Sequence, residues 1–184
     1  MRSSYPSFPG RLRSIHAQAR ATGVLVQGER GLKVVADCVI YRPAAELYAF
    51  CRQPENLPRV IGLPLKITPT HDRESHWVLL APFGDERIAW DAAVINDEPN
   101  SLLAWESLYG APVPNAWTIR FDPAPGSLGT RVTVQLEFDP PGQLAALFNG
   151  LLGKKAKQQV TESLSRFKEL MEASDRSREF RAQS

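Results

Sequence analysis

The stretch HWVLLAPFGDERIAWDAAVINDEPNSLLAWES, residues 76–107, decides the architecture. Apolar and polar residues alternate along it, and turn-forming pairs interrupt the alternation twice. Gly84-Asp85 sits between two apolar runs, as a two-residue hairpin requires. Pro99-Asn100 suits the central pair of a tight turn. Strands joined this closely lie antiparallel. With Pro99-Asn100 as the turn centre, Val94 faces Trp105, Ala92 faces Ser107 and Trp90 faces Tyr109. Cross-strand partners share a face. Trp90, Trp105, Ser107 and Tyr109 therefore lie on one side, and Asp91 and Glu106 on the other with Ala93 and Leu108. A bulge would change this register.

The same alternation continues outward from that hairpin. LKITPTHD (65–72) precedes it; NAWTIRFDP (115–123) and GTRVTVQLEFD (129–139) follow, with APGSLG (124–129) as a longer loop. Six consecutive strands with short connections imply an antiparallel meander. In the last strand Thr130, Val132, Val134, Leu136 and Phe138 face one way, and Arg131, Thr133, Gln135 and Glu137 the other. That pattern predicts one buried and one wet face.

Upstream, LKVVADCVIY (32–41) reads as a strand of β-branched and apolar residues. Arg42-Pro43 ends it, since proline cannot continue a ladder and suits a helix start. Ala44, Leu47, Phe50 and Cys51 then fall at helical spacing, and Pro54 and Pro58 break PENLPRVIG into a short second helix or turn. Downstream, Pro140-Pro141-Gly142 stops the sheet and a long helix is expected from Gln143 to Ala173. Ala156, Val160, Leu164, Phe167 and Met171 form a single apolar stripe along it. Gly150 and Gly153 can bend it near its start. Three segments follow: a flexible Arg-rich extension over 1–31, one folded domain over 32–173, and a polar tail over 174–184.

The 184-residue chain suits one domain with tails, and 43% apolar with 23% charged residues excludes collagen, a disordered chain and a membrane bundle. No apolar run approaches the ~18 residues that a spanning helix needs. Cys38 and Cys51 have no zinc spacing and are too few for a disulfide framework, so reduced thiols in a cytoplasmic protein are expected. The net charge of +2 is uneven. Residues 1–31 carry Arg2, Arg11, Arg13, Arg20 and Arg30 against Glu29 alone, a composition shared with organellar transit peptides. The remainder has a slight acidic excess and so no electrostatic footprint for nucleic acid.

A six- or seven-stranded twisted sheet curls. The curled face is the only partner large enough to bury the stripe of the long helix, and a cavity can remain between them. The order and spacing of WDA, PN, AWES, GTRV and PPG, with PAAELYAFCRQPENLPRVIG ahead of them and SLSRFKELME behind, resemble the SRPBCC superfamily. The similarity is to its polyketide cyclase/dehydrase and coenzyme Q-binding branch and covers about residues 32–173. It implies an α+β helix-grip, START-like fold: a curved antiparallel sheet of six to seven strands wrapped around a long C-terminal helix. It also implies a hydrophobic ligand cavity. It does not imply one reaction, because the superfamily spans carriers, cyclases and chaperone activators.

Two readings of the site follow. In the first, Trp77, Trp90, Trp105 and Trp117 line the cavity with Ser107, Tyr109, Phe148 and Leu151. The indole N–H groups then orient a carbonyl, and the protein binds or carries a lipid, quinone or polyketide-like aromatic. In the second, Asp91 and Glu106 point inward as an acid/base pair for cyclisation or dehydration. Burying two acids without a partner is costly, and an exposed pair of Asp91 with Arg87 is the plainer account. A third possibility is a protein-interaction module. THDRESHW resembles a metal cluster superficially, but its His71, Asp72, Glu74 and His76 lack ligand spacing, and a polar hairpin turn is expected there. No metal or cofactor is expected. LAALFNGLLGKKAK sets Lys154, Lys155 and Lys157 beside an apolar stripe, which suits transient contact with an anionic membrane surface.

Overall fold

The computed structural model describes residues 32–80, 87–138 and 156–182. Strand β1 (Leu32–Ile40) leads through Arg42-Pro43 into helix α1 (Ala44–Cys51), then a 3-10 turn (Pro54–Asn56) and helix α2 (Pro58–Ile61). Six strands follow: β2 (Leu65–His71), β3 (Glu74–Leu80), β4 (Arg87–Glu98), β5 (Leu102–Ser107), β6 (Asn115–Pro123) and β7 (Thr130–Phe138). Helix α3 (Ala156–Ala182) ends the chain. The expected start of that helix at Gln143 and the expected Gly84-Asp85 turn lie outside the described residues, as does the extension over 1–31.

All seven strands form one antiparallel sheet in the order β1-β7-β6-β5-β4-β3-β2. The meander from β2 to β7 is the expected one. The first strand closes it by pairing with the last, Ile40 opposite Thr130 and Leu32 opposite Phe138. β1 and β2 thus lie at opposite edges, and the helices between them must cross the concave face. They do: α1 packs on β5 and β6, and α2 on β2 and α3.

The stripe of α3 meets the same face. Ala156, Val160, Leu164, Phe167 and Met171 are all buried, in one core with Ile40, Leu47, Leu103, Phe121 and Val132. Each such burial of a large apolar side chain contributes about 1.5–3 kcal/mol over exposure. The seven-stranded curved sheet closed on a C-terminal helix is the helix-grip fold.

Two expectations need correction. The polar tail expected from residue 174 is helical through Ala182. Its sequence holds neither glycine nor proline, and Ala, Glu and Arg are good helix formers, so nothing stops the helix where its apolar stripe ends. The outer face of the sheet is also less wet than the alternation of β7 implies. Glu137 is only 8% exposed, accepting from Gln135 Nε2 at 2.7 Å with Lys33 Nζ at 3.5 Å. Beside it Ala104 and Ala116, with Ile95, form a small second apolar cluster. Small side chains there sink below their long polar neighbours.

Candidate functional site

The β4–β5 hairpin sets the site. Pro99 and Asn100 occupy the turn, the Ser101 N–H donates to the Glu98 carbonyl at 3.0 Å, and Asn100 takes a left-handed φ of 63°. That position favours Asn or Gly. Farther down, Val94 pairs with Trp105 and Ala92 with Ser107, in the register expected from the sequence. Between these regions the register shifts at Val94/Asn96. One extra residue re-aims everything turnward of it. Asp97 therefore pairs with the fully buried Leu103 and shares its inward face, although simple alternation groups it with Asp91.

Four strands contribute one tryptophan each to the concave face. Trp77 pairs with Trp90, and Trp105 with Trp117. Trp77 and Trp90 stack with centroids 5.7 Å apart at 28°. Trp77 and Trp105 are 2% exposed; Trp90 and Trp117 are partly buried. The Trp77 indole N–H donates to Ser75 Oγ at 2.8 Å. That of Trp90 is buried with no acceptor among the described residues. An unsatisfied buried donor of this kind costs about 1–3 kcal/mol.

Two voids adjoin this wall. One, of about 50 Å³, lies against Trp77, Trp105 and Trp117 and is closed by Cys51, Val60, Leu164 and Phe167. The other, of about 40 Å³, lies against Trp77, Trp90 and Trp117 with Leu63, Val113 and Asn115. Ile61 at the end of α2 lines both, as do Trp77 and Trp117. Among the described residues no charged side chain lines either void. Burial pushes the Cys51 thiol well above its ordinary value, so it stays protonated and serves as wall.

The segment holding Ile61 is tied down by polar groups of α3. The Ile61 carbonyl accepts from Gln159 Nε2 (2.9 Å), Ser163 Oγ (2.9 Å) and Arg166 Nη1 (3.1 Å). These donors satisfy a helix C-terminal carbonyl that has no partner within its own helix. Gly62 follows in the left-handed region at φ 70°, against the Arg166 guanidinium. A second polar group joins α1 to the sheet: Tyr48 Oη donates to Asp97 Oδ1, and Arg52 Nε to Asp97 Oδ2 at 2.7 Å. Partial burial first, and the Asp97 carboxylate second, hold the Tyr48 hydroxyl above the usual tyrosine range.

The other expected residues fall as follows. Asp91 and Glu106 are on the outer face, opposite the tryptophans. The Asp91 carboxylate is 58% exposed and meets His76 Nδ1 at 2.7 Å across β3 and β4; the side chain of Arg87, its expected partner, lies outside the described residues. Ser107 is partly buried and accepts the Asn115 N–H at 3.0 Å, which fastens the start of β6. Tyr109 departs from expectation. β5 ends at Ser107, and Tyr109 lies beyond it, fully exposed, before Gly110 turns the chain at φ 91°. Its inward placement assumed a strand two residues longer than the one that forms. THDRESHW forms the expected hairpin, closed by His71 and Glu74 at 3.5 Å. No group of metal-holding residues occurs among the described residues. Lys157 is exposed in the first turn of α3; Phe148, Leu151, Lys154 and Lys155 lie outside the described residues.

Sequence reasoning missed Asn115, Ile61 and the Tyr48–Asp97–Arg52 group. Asn115 was within reach, because it shares the parity of Trp117, Ile119 and Phe121. The bulge hid Asp97.

A curved antiparallel sheet gripping a C-terminal helix defines the helix-grip class of domains. Residues 31–172 match the family described as polyketide cyclase/dehydrase and lipid transport, and the chain belongs to that family. It is 33% identical to a protein of known structure from Deinococcus radiodurans, covering 78% of this chain and 98% of that one with a TM-score of 0.65. A protein from Geobacillus kaustophilus (15% identity, 78% and 97% covered, TM-score 0.62) shares the fold. So does one from Thermus thermophilus (19%, 78% and 99%, TM-score 0.58). No curated protein matches the chain.

Proposed function

We propose that the protein binds or carries a small hydrophobic molecule, a lipid, quinone or polyketide-like aromatic, between the sheet and α3. The observation that carries this reading is the continuous tryptophan wall facing two apolar voids with no charged lining. At about 50 and 40 Å³ the voids are far smaller than the ~300–1,000 Å³ of ordinary ligand pockets. Entry of such a ligand therefore requires side chains shared by both voids to move and join them, and Ile61 on the short α2 segment is the one of these that the sheet does not hold. That segment packs Leu57, Val60 and Ile61 into the core and is tied to α3 through the Ile61 carbonyl, so it would move as a unit. Contact of Lys154, Lys155 and Lys157 with an anionic membrane surface would serve pickup of a lipid.

A cyclase or dehydrase working through Asp91 and Glu106 has no such support, because both acids face away from the voids. Native mass spectrometry of the freshly purified full chain, with identification of extracted apolar compounds, tests the carrier reading. The expected result is a bound neutral lipid, quinone or aromatic. Recovery of nothing, together with no binding across a lipid and quinone panel, would refute it.

A further inference from the structure

We infer that the Trp90 indole N–H is the donor that anchors the ligand, and that the ligand is a neutral apolar molecule carrying a carbonyl- or ether-type oxygen. This rests on the ligand-binding reading above and narrows it to a chemical class.

Trp90 Nε1 is the one buried side-chain polar atom without a hydrogen-bond partner among the described residues. Native interiors rarely leave such an atom unsatisfied, and an unexplained one signals a missing acceptor. The contrast with the stacked Trp77 sharpens the point. On β3 the sequence supplies Ser75 two residues away, and its hydroxyl accepts the Trp77 N–H. On β4 the residues two positions from Trp90 on the same face are Ile88 and Ala92, which have nothing to offer.

The indole lines the 40 Å³ void, while its Nε1 is itself covered by the packing. That space is large enough for one water, but a buried water needs two to four polar partners. Among the described residues the only amide side chain in the lining is Asn115, and one of its Nδ2 hydrogens is committed to the Val113 carbonyl at 2.9 Å. An oxygen that needs a single donor and is attached to an apolar body fits this lining better. The same lining sets the charge. With no Lys, Arg or His among the described residues against either void, a carboxylate or phosphate would be desolvated there without a counter-charge. A pure hydrocarbon would leave the donor orphaned. Ketones, quinones and esters meet both conditions.

The test uses the full-length protein, isotope-labelled at its indole nitrogens, and a matched pair of probes, acetophenone and ethylbenzene. They have nearly the same shape and differ in the oxygen. The expected result is that acetophenone binds about fivefold more tightly, the value of one neutral hydrogen bond. Acetophenone alone should move the Trp90 indole proton downfield, and the preference should fall to about one in Trp90→Phe. Equal affinities with the Trp90 signal unmoved would overturn the anchor and leave the hydrophobic-cavity reading standing. Binding of neither probe would overturn that reading and the anchor with it. Because both probes are compared on the unsubstituted protein, the result does not depend on Trp90→Phe folding.

Discussion

Among single residues, the polar ones that point inward do the most to set this protein apart from a plain apolar sandwich. Tyr48 keeps its proton above the ordinary tyrosine range, so the folded chain holds a proton that the unfolded chain releases above about pH 10. Stability contributed by this hydroxyl is complete below that pH and is lost as pH rises through the folded value. Denaturant midpoints from pH 9 to 11 should fall, and Tyr48→Phe should flatten that part of the fall while costing about 1 kcal/mol at neutral pH. The glycines offer a sharper contrast. A Cβ on Gly129 would strike the backbone of Ile40 and Tyr41, which β1–β7 pairing fixes, whereas one on Gly126 meets open space. Both have positive φ, 100° and 77°. Gly126→Ala should therefore cost about 1 kcal/mol for its backbone conformation alone, and Gly129→Ala clearly more. Equal costs in chemical denaturation would mean that the β1–β7 junction yields. Asn100 needed no structure to be noticed, since Pro-Asn between alternating runs announces the turn; Asp97 did, because a bulge leaves no mark in the residue types.

At the scale of elements, α2 is four residues long and cannot hold itself together by its own hydrogen bonds. Its position comes from α3, through Gln159, Ser163 and Arg166 on the Ile61 carbonyl. Arg166→Ala should leave the sheet intact, lower global stability by about 1 kcal/mol, and speed amide exchange selectively over residues 57–62. Exchange that rises evenly across the molecule would show that α2 is not a separable unit. The strands were readable because each buries one face, and a buried face enforces period two. The end of α3 was not readable from its stripe, because a helix continues past its last core contact wherever no breaker stops it. The end of β5 was misjudged for a similar reason. Leu108 and Tyr109 have strand-like side chains, yet Tyr109 finds no partner strand and stands in solvent.

At the scale of the whole molecule, the two small voids share Ile61, Trp77 and Trp117, and of these Ile61 alone belongs to a helix. Ile61→Ala should cost about 2–4 kcal/mol in the free protein by enlarging the space it leaves. On the proposed reading it should also join the voids and strengthen binding of an apolar ligand, seen as a larger rise in thermal midpoint on adding acetophenone than the unsubstituted chain shows. A loss of stability with no gain in binding would place the ligand elsewhere. The sequence by itself determined the meander, the grouping of residues on the two strand faces, the apolar stripe of α3 and the shared face of Trp90 and Trp105. All of these follow from periodicity, which short-range chemistry writes directly into residue order. Only the tertiary structure decided that β1 closes the sheet beside β7, that a bulge turns Asp97 toward Tyr48 and Arg52, that Ile61 lines both voids, and that the Trp90 N–H lacks an acceptor among the described residues. Each of these depends on which distant segments come together in space. A hydrogen bond left unmade is a property of the assembled surroundings, to which no single stretch of chain has access.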